Sequence, residues 1–349
     1  MEKIKTHSGR SGALRLVVAA GIILSAILGT AGYLTHAQDQ GDALENAEIS
    51  SRPLIGVTTS QQNPLQIPIL HWYNANLTTQ FTTASGPSGV AFDGANIWVC
   101  NNGNKTLTKL QAANGTVLGT FTVGTNPIAV AYDGADIWVA NINSNNVTKL
   151  NGSTGAVLGT FTVGTQPNAL AFDGTNIWVA NGGSNNVTEL KASTGATVAT
   201  FPSNGTFPAG VAFDGTDIWV TNNLSANVAK LSPTGAILGT FTVGTDPAGI
   251  AFDGTNIWVA NFGSNNVTKL SLTGTVLGTF AAGTGPDGLV YDGGNIWVAD
   301  FNGNTVTKLK DSSGATLGTF KVGTEPQGIA FDGASIGVAN FGGTTVSKL

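Results

Sequence analysis

The sequence has little sulfur, little histidine and little charge. Its 349 residues include one cysteine, one methionine and three histidines. One cysteine cannot close an internal disulfide, so Cys100 says little about redox compartment. Charged side chains make up only 10% of the chain, against about a quarter in ordinary globular domains. The net charge of −5 offers no basic field for a phosphate backbone and argues against nucleic acid as a partner. So little charge also excludes a disordered polyampholyte and a helix-rich enzyme. Glycine is abundant, with 48 residues, and 41% of the chain is hydrophobic. The polar surface must then be Asn, Thr, Ser and Gly, which favours an all-β fold with many turns. The length is ample for a real core, in one large domain or two small ones.

Residues 1–37 read as an address. Lys3, Lys5, Arg10 and Arg15 precede an uncharged, mostly apolar run from Leu16 to Leu34, and Thr35, His36 and Ala37 follow. A basic start, an apolar middle and a small-residue exit describe a secretory signal peptide. The run is also long enough for an uncleaved membrane anchor. Either reading places the rest of the chain outside the cytoplasm (secreted, periplasmic or on the cell surface), with a membrane involved only through that anchor. Residues 38–74 begin acidic, with Asp39, Asp42, Glu45 and Glu48, and are broken by Pro53, Pro64 and Pro68. They read as a linker. Its end, with Trp72, is apolar enough to pack on the domain of residues 75–349.

That domain is one unit written seven times. The phrase Asp-Gly-x-x-Ile-Trp-Val recurs with Trp98, Trp138, Trp178, Trp219, Trp258 and Trp297, at intervals of 39 to 41 residues; a seventh copy carries Gly337 in place of Trp. Each unit fits four strands. In the second, Ile128 to Tyr132 is a strand, Asp133-Gly134 a hairpin turn, Asp136 to Ala140 a strand, Asn146 to Leu150 a strand, and Val157 to Val163 a strand. The second strand is apolar on consecutive residues, as expected when both faces are covered. The fourth alternates Thr with apolar residues, as for an outer, half-wet strand. Units of this size and number are the sequence form of a β-propeller; a solenoid is the rival. The seventh unit lacks a fourth strand, and Leu77 to Thr82 matches Val117 to Thr122. The expected fold is therefore an all-β, seven-bladed propeller of four-stranded blades, closed by the N-terminal strand at about residues 77–82 completing the last blade. Each Trp is expected between neighbouring blades. Gly337 leaves the closing blade without this wedge, unless Trp72 fills the space.

These repeats resemble the bacterial propellers of the YVTN, NHL and streptogramin-lyase-like group, through Gly-x-x-Pro, Phe/Tyr-Asp-Gly and Ile-Trp-Val-Ala-Asn over about residues 75–349. The resemblance implies the fold. For function it implies a spread, from lyases and lactonase-like hydrolases to binding and scaffolding proteins. Streptogramin lyases use a histidine base with bound magnesium, and here His7, His36 and His71 all lie outside the repeats. Cys100 takes the place of Ala140 and Ala180 and reads as a small core residue. The hairpin aspartates (Asp93, Asp133, Asp173, Asp214, Asp253, Asp292, Asp332) read as turn residues. The lysines at one strand position (Lys109, Lys149, Lys230, Lys269, Lys308, Lys348, with Glu189 as the exception) read as solvation of a sheet surface.

Anything present in every blade is explained by the blade, so only departures from the repeat can build an asymmetric site. Loops before the first strand and after the second share the face where propellers usually bind ligands. On that face blades five to seven carry Asp246, Asp287, Asp300 and Glu325 together with Phe262, Phe301 and Phe341, and Phe207 sits in the one lengthened loop. An apolar patch with convergent carboxylates suits a cationic or sugar-like ligand or a peptide edge. The leading expectation is a secreted or surface-tethered, non-catalytic propeller binding a protein, glycan or small molecule, with no cofactor. The alternative is a metal-assisted lyase or lactonase-like hydrolase, with a calcium or magnesium ion held by Asp300 with Asn261 and Asn340 or Glu325.

Overall fold

The computed structural model describes residues 79–349. The leader or anchor, the linker, Trp72, and residues 77 and 78 of the expected closing strand lie outside them. Among the described residues, 28 strands form seven four-stranded antiparallel sheets, and the helical content is three single-turn 3-10 segments. None of these helices is long and apolar enough to cross a membrane. The fold is a seven-bladed all-β propeller. Blades one to six span residues 87–122, 127–162, 167–202, 208–242, 247–281 and 286–321, each with its strands side by side in chain order. Blade seven contains Pro326–Phe331, Ile336–Asn340 and Thr345–Lys348, and its fourth strand is Thr79–Thr82. That pairing is in register, Thr79 opposite Lys348 and Phe81 opposite Val346.

The hairpin aspartate begins as the turn residue the sequence suggests. In blade one, Asp93 Oδ1 accepts the N–H groups of Ala95 and Asn96 at 2.9 and 2.7 Å, and Gly94 takes a φ of +97°. Oδ2 accepts the indole N–H of Trp98 at 2.8 Å. Burial works to raise the Asp93 pKa, but Trp98, Asn96 and the backbone donors outweigh it and hold the carboxyl below its usual value. Trp98 is fully buried against Ile137, Val139 and Leu150 of blade two, with Phe121 of its own blade at 5.7 Å between ring centroids. The tryptophans are thus the inter-blade wedges that their spacing predicts.

The lysine series is a correction. Lys109 lies opposite Trp98 in the ladder, with Nζ 4.7 Å from the indole centroid and 3.9 Å from Asp93 Oδ2, and donates to the carbonyl of Gly152 in blade two at 2.8 Å. Lys149, Lys230, Lys269 and Lys348 repeat the reach into the next blade, to the carbonyls of Ala192, Leu272, Asp311 and Ala112. Lys109 and Lys149 are only 8% and 7% exposed. These side chains do not solvate a surface; they lie between blades and fasten them. The sequence shows the shared position but not that its long aliphatic stem runs beneath the next blade's turn.

Blade three departs from this pattern. Glu189 is buried where a lysine should be and accepts a hydrogen bond from Asn176 Nδ2 at 2.7 Å. Burial first, and the negative Asp173 second, raise its pKa against the effect of Asn176. A carboxyl with a raised folded pKa costs stability once the pH is high enough to ionise it, and nothing below its unfolded pKa. Glu189→Lys replaces this repulsion with the bond its neighbours make. It should raise stability at pH 7.5 by about 1–3 kcal/mol, with the gain shrinking towards pH 4, as read by chemical denaturation at the two pH values.

Blade seven lacks the wedge. Gly337 faces Lys348 in the ladder, and the atom nearest to a Cβ added to it would be Ile97 Cδ1 at 3.5 Å, an ordinary van der Waals contact. The cluster at the junction with blade one contains Ile97, Val99, Leu110, Val346 and Phe81 but no tryptophan. Asp332 keeps Lys348 at 3.4 Å without an indole partner. Native-state hydrogen exchange should therefore be fastest in the strands of blade seven, and protection there equal to that of blades one to six would contradict the reading.

Candidate functional site at the upper mouth

The residue before each strand-opening proline and the residue after the second strand meet on one face. The N–H of Asn102, Ile142, Gly182, Asn223, Phe262, Phe301 and Phe341 donates to the carbonyl of Gly86, Asn126, Gln166, Phe207, Asp246, Gly285 and Glu325 respectively, at 2.8–3.0 Å. The position before proline is left-handed in every blade; Phe207, Asp246 and Glu325 hold φ values of +57°, +50° and +52°. Non-glycine residues adopt this region only at a cost. These three side chains are therefore presented from strained loop tips around the mouth.

Three departures from the repeat come together there. Phe301 lies between Phe262 and Phe341, with ring centroids 6.1 Å from each. All three are half-buried, so they form a continuous aromatic row across blades five, six and seven. Asp246 is exposed at the edge and Glu325 is half-buried. Phe207 lies over Gly182, where an added Cβ would stand 3.3 Å from its ring.

Asp300 stays inside its blade. It is fully buried, where the other six blades carry asparagine. Its carboxylate accepts the N–H of Gly283 at 2.9 Å and the hydroxyls of Thr305 and Thr307 at 2.9 and 2.7 Å. Burial raises its pKa and these donors oppose the rise. Asn261 and Asn340 are committed in the same way, their amides to Asn266, Thr268, Thr345 and Ser347 and their carbonyls to Gly244 and Gly323. A donor set spent on the blade does not fit a divalent ion. Among the described residues, no group of three or more His, Cys, Asp or Glu could hold a metal ion. Cys100 is fully buried beside Trp98, and burial pushes its thiol up, away from the reactive thiolate.

Asp287 is brought to a different place, the wall of the central channel. The residue after each strand-opening proline forms a ring of Ser88, Ile128, Asn168, Ala209, Ala248, Asp287 and Gln327, lining a cavity of about 380 Å³. Ile142 and Phe207 from the upper loops line it too. The first strands approach closely because glycine follows this position in five blades; a Cβ at Gly249 would run into the carbonyl of Asp287, and one at Gly288 into that of Gln327. Asp287 is partly open to the channel yet enclosed by protein, and burial pushes its carboxyl up to about 6 against the hydrogen bond from Gln327. Gln327 is the site residue that sequence reasoning missed. Its signal was the same subtraction across blades, applied one residue beyond proline.

Because the folded pKa of Asp287 exceeds its unfolded value near 3.8, its charge lowers stability as pH rises from about 4 to above 6. Asp287→Asn should therefore raise Tm at pH 7.5, by about 2–4 °C per kcal/mol relieved, and leave it unchanged at pH 4; paired thermal melts check this.

No family model and no curated protein matches the sequence. Solved structures do match its fold. One described as a streptogramin B lyase structure superposes with a TM-score of 0.68 at 19% identity, over 78% of this chain and 96% of that one. Kuenenia stuttgartiensis hydrazine synthase gives 0.68 at 18% identity, over 77% and 96%. At such identities the likeness speaks for architecture alone, and the chain has the streptogramin-lyase-like β-propeller fold.

Proposed function

We propose that this chain is a non-catalytic binding propeller, acting outside the cytoplasm as its basic and apolar leader suggests, and that it takes its ligand at the upper mouth. The observation that carries this reading is the aromatic row of Phe262, Phe301 and Phe341. Three half-buried rings on one side of a mouth, with Asp246 and Glu325 at the edge and the channel behind, offer apolar area and negative charge together. That combination suits a small molecule, glycan or peptide with an apolar face and cationic or hydroxyl groups. Asp300 supports the blade and is no part of the contact surface.

The test is a thermal-shift and titration screen of peptides, oligosaccharides and small aromatic compounds. Ligands of the wild-type protein should bind about tenfold or more weakly to Phe301→Ala, as for a central aromatic anchor. Binding that ignores this change would overturn the reading. So would turnover of a lactone or streptogramin that disappears in Asp300→Asn, a substitution that restores the residue of the other six blades.

A further inference from the structure

The charge in the channel has no counter-charge, and this sets it apart from its counterparts elsewhere in the blades. Asp93, Asp214, Asp253, Asp292 and Asp332 each have a lysine ammonium within 3.4–3.9 Å. Among the described residues no ion pair is made to Asp287, and no other titratable side chain lines its cavity. Gln327 stands beside Asp287 in the ring and works against the rise in its pKa, while its own Oε1 is buried without a hydrogen-bond partner. The other polar members of the ring do not help, since Ser88 Oγ donates to the Pro127 carbonyl at 2.9 Å and Asn168 Nδ2 to the Pro208 carbonyl at 3.2 Å. The wall therefore holds a buried side-chain acceptor without a donor and a carboxylate without a counter-charge. Burying a charge unpaired is costly, and a cation carrying several N–H groups removes both deficits at once.

We propose that Asp287 and Gln327 receive the protonated primary amine of a ligand whose apolar part lies on the phenylalanine row above. This deepens the upper-mouth reading and rests on it. The two regions adjoin. Asp287 is two residues from Gly285, whose carbonyl accepts the N–H of Phe301 at 2.8 Å, and a Cβ at Gly285 would stand 3.2 Å from the Phe262 ring. A cavity of about 380 Å³ is of ligand size. One carboxylate beside one amide is too poor a donor set for calcium or magnesium, whereas an ammonium needs only a charge and two or three acceptors.

The probe is benzylammonium, with benzyl alcohol as its neutral counterpart, titrated calorimetrically against the protein at pH 7.5 and pH 5. Benzylammonium should bind at pH 7.5 and benzyl alcohol at least tenfold more weakly. Asp287→Asn, checked for folding by its melting curve, should lose at least tenfold for the amine and nothing for the alcohol. Affinity for the amine should fall about tenfold at pH 5, in proportion to the ionised fraction of Asp287. Equal binding of amine and alcohol, unchanged in Asp287→Asn but weakened in Phe301→Ala, would overturn the amine site and leave the upper-mouth reading standing. Loss in Asp287→Asn without loss in Phe301→Ala would do the reverse. Binding of neither probe would overturn both.

Discussion

The molecule depends on a charge that is satisfied in two blades at once. A hairpin aspartate closes its own turn with one oxygen and holds a tryptophan indole with the other, and a lysine stacked on that indole reaches across to a carbonyl of the next blade. Each component would be expensive to bury alone. Together they give every donor and acceptor a partner, so an inter-blade surface that is otherwise greasy also has a unique alignment. Scarcity of charge in the sequence is the outward sign of this arrangement, because much of the charge in the repeats is assigned to the seams.

Seams of this kind put chemistry at the ends of the strands. The inner strands stand so close that glycine is needed where one backbone meets the next carbonyl, which leaves a narrow channel with one variable side chain per blade at its upper end. Above that ring, the loops are tied to one another by a repeated backbone hydrogen bond. Side chains at the mouth are therefore held by a rigid frame, and differences between blades become differences in position around a circle. Seven almost equal units can in this way hold one unequal site, formed where blades five, six and seven depart from the others.

Much of this architecture can be read from the sequence, because a repeat repeats its explanation. The tryptophan spacing, the Asp-Gly turns and the alternation in the outer strands each predict what the structure contains. The lysines are not legible in the same way, because a position in a strand says nothing about where a flexible stem ends; only the neighbouring blade's carbonyl reveals that. Asp300 looked like an acidic departure on the ligand face, yet it fills the place of a buried asparagine and accepts bonds from the same threonine positions. Gln327, beside Asp287, is the reverse case. Its neighbourhood is created by ring closure, which brings residues 40 apart into one wall, and no local pattern encodes an unpartnered oxygen.

The last blade joins two distant stretches of chain through a single antiparallel pair, with Thr79 opposite Lys348 at one end and Thr82 opposite Thr345 at the other. The chain on the N-terminal side of Thr79 and the chain beyond Lys348 leave from the same end of that pair. Tension between them loads one rung at a time rather than all rungs together, so the sheet parts like a zip. Mechanically the ring has a preferred breaking point, and it lies within the blade that has no indole.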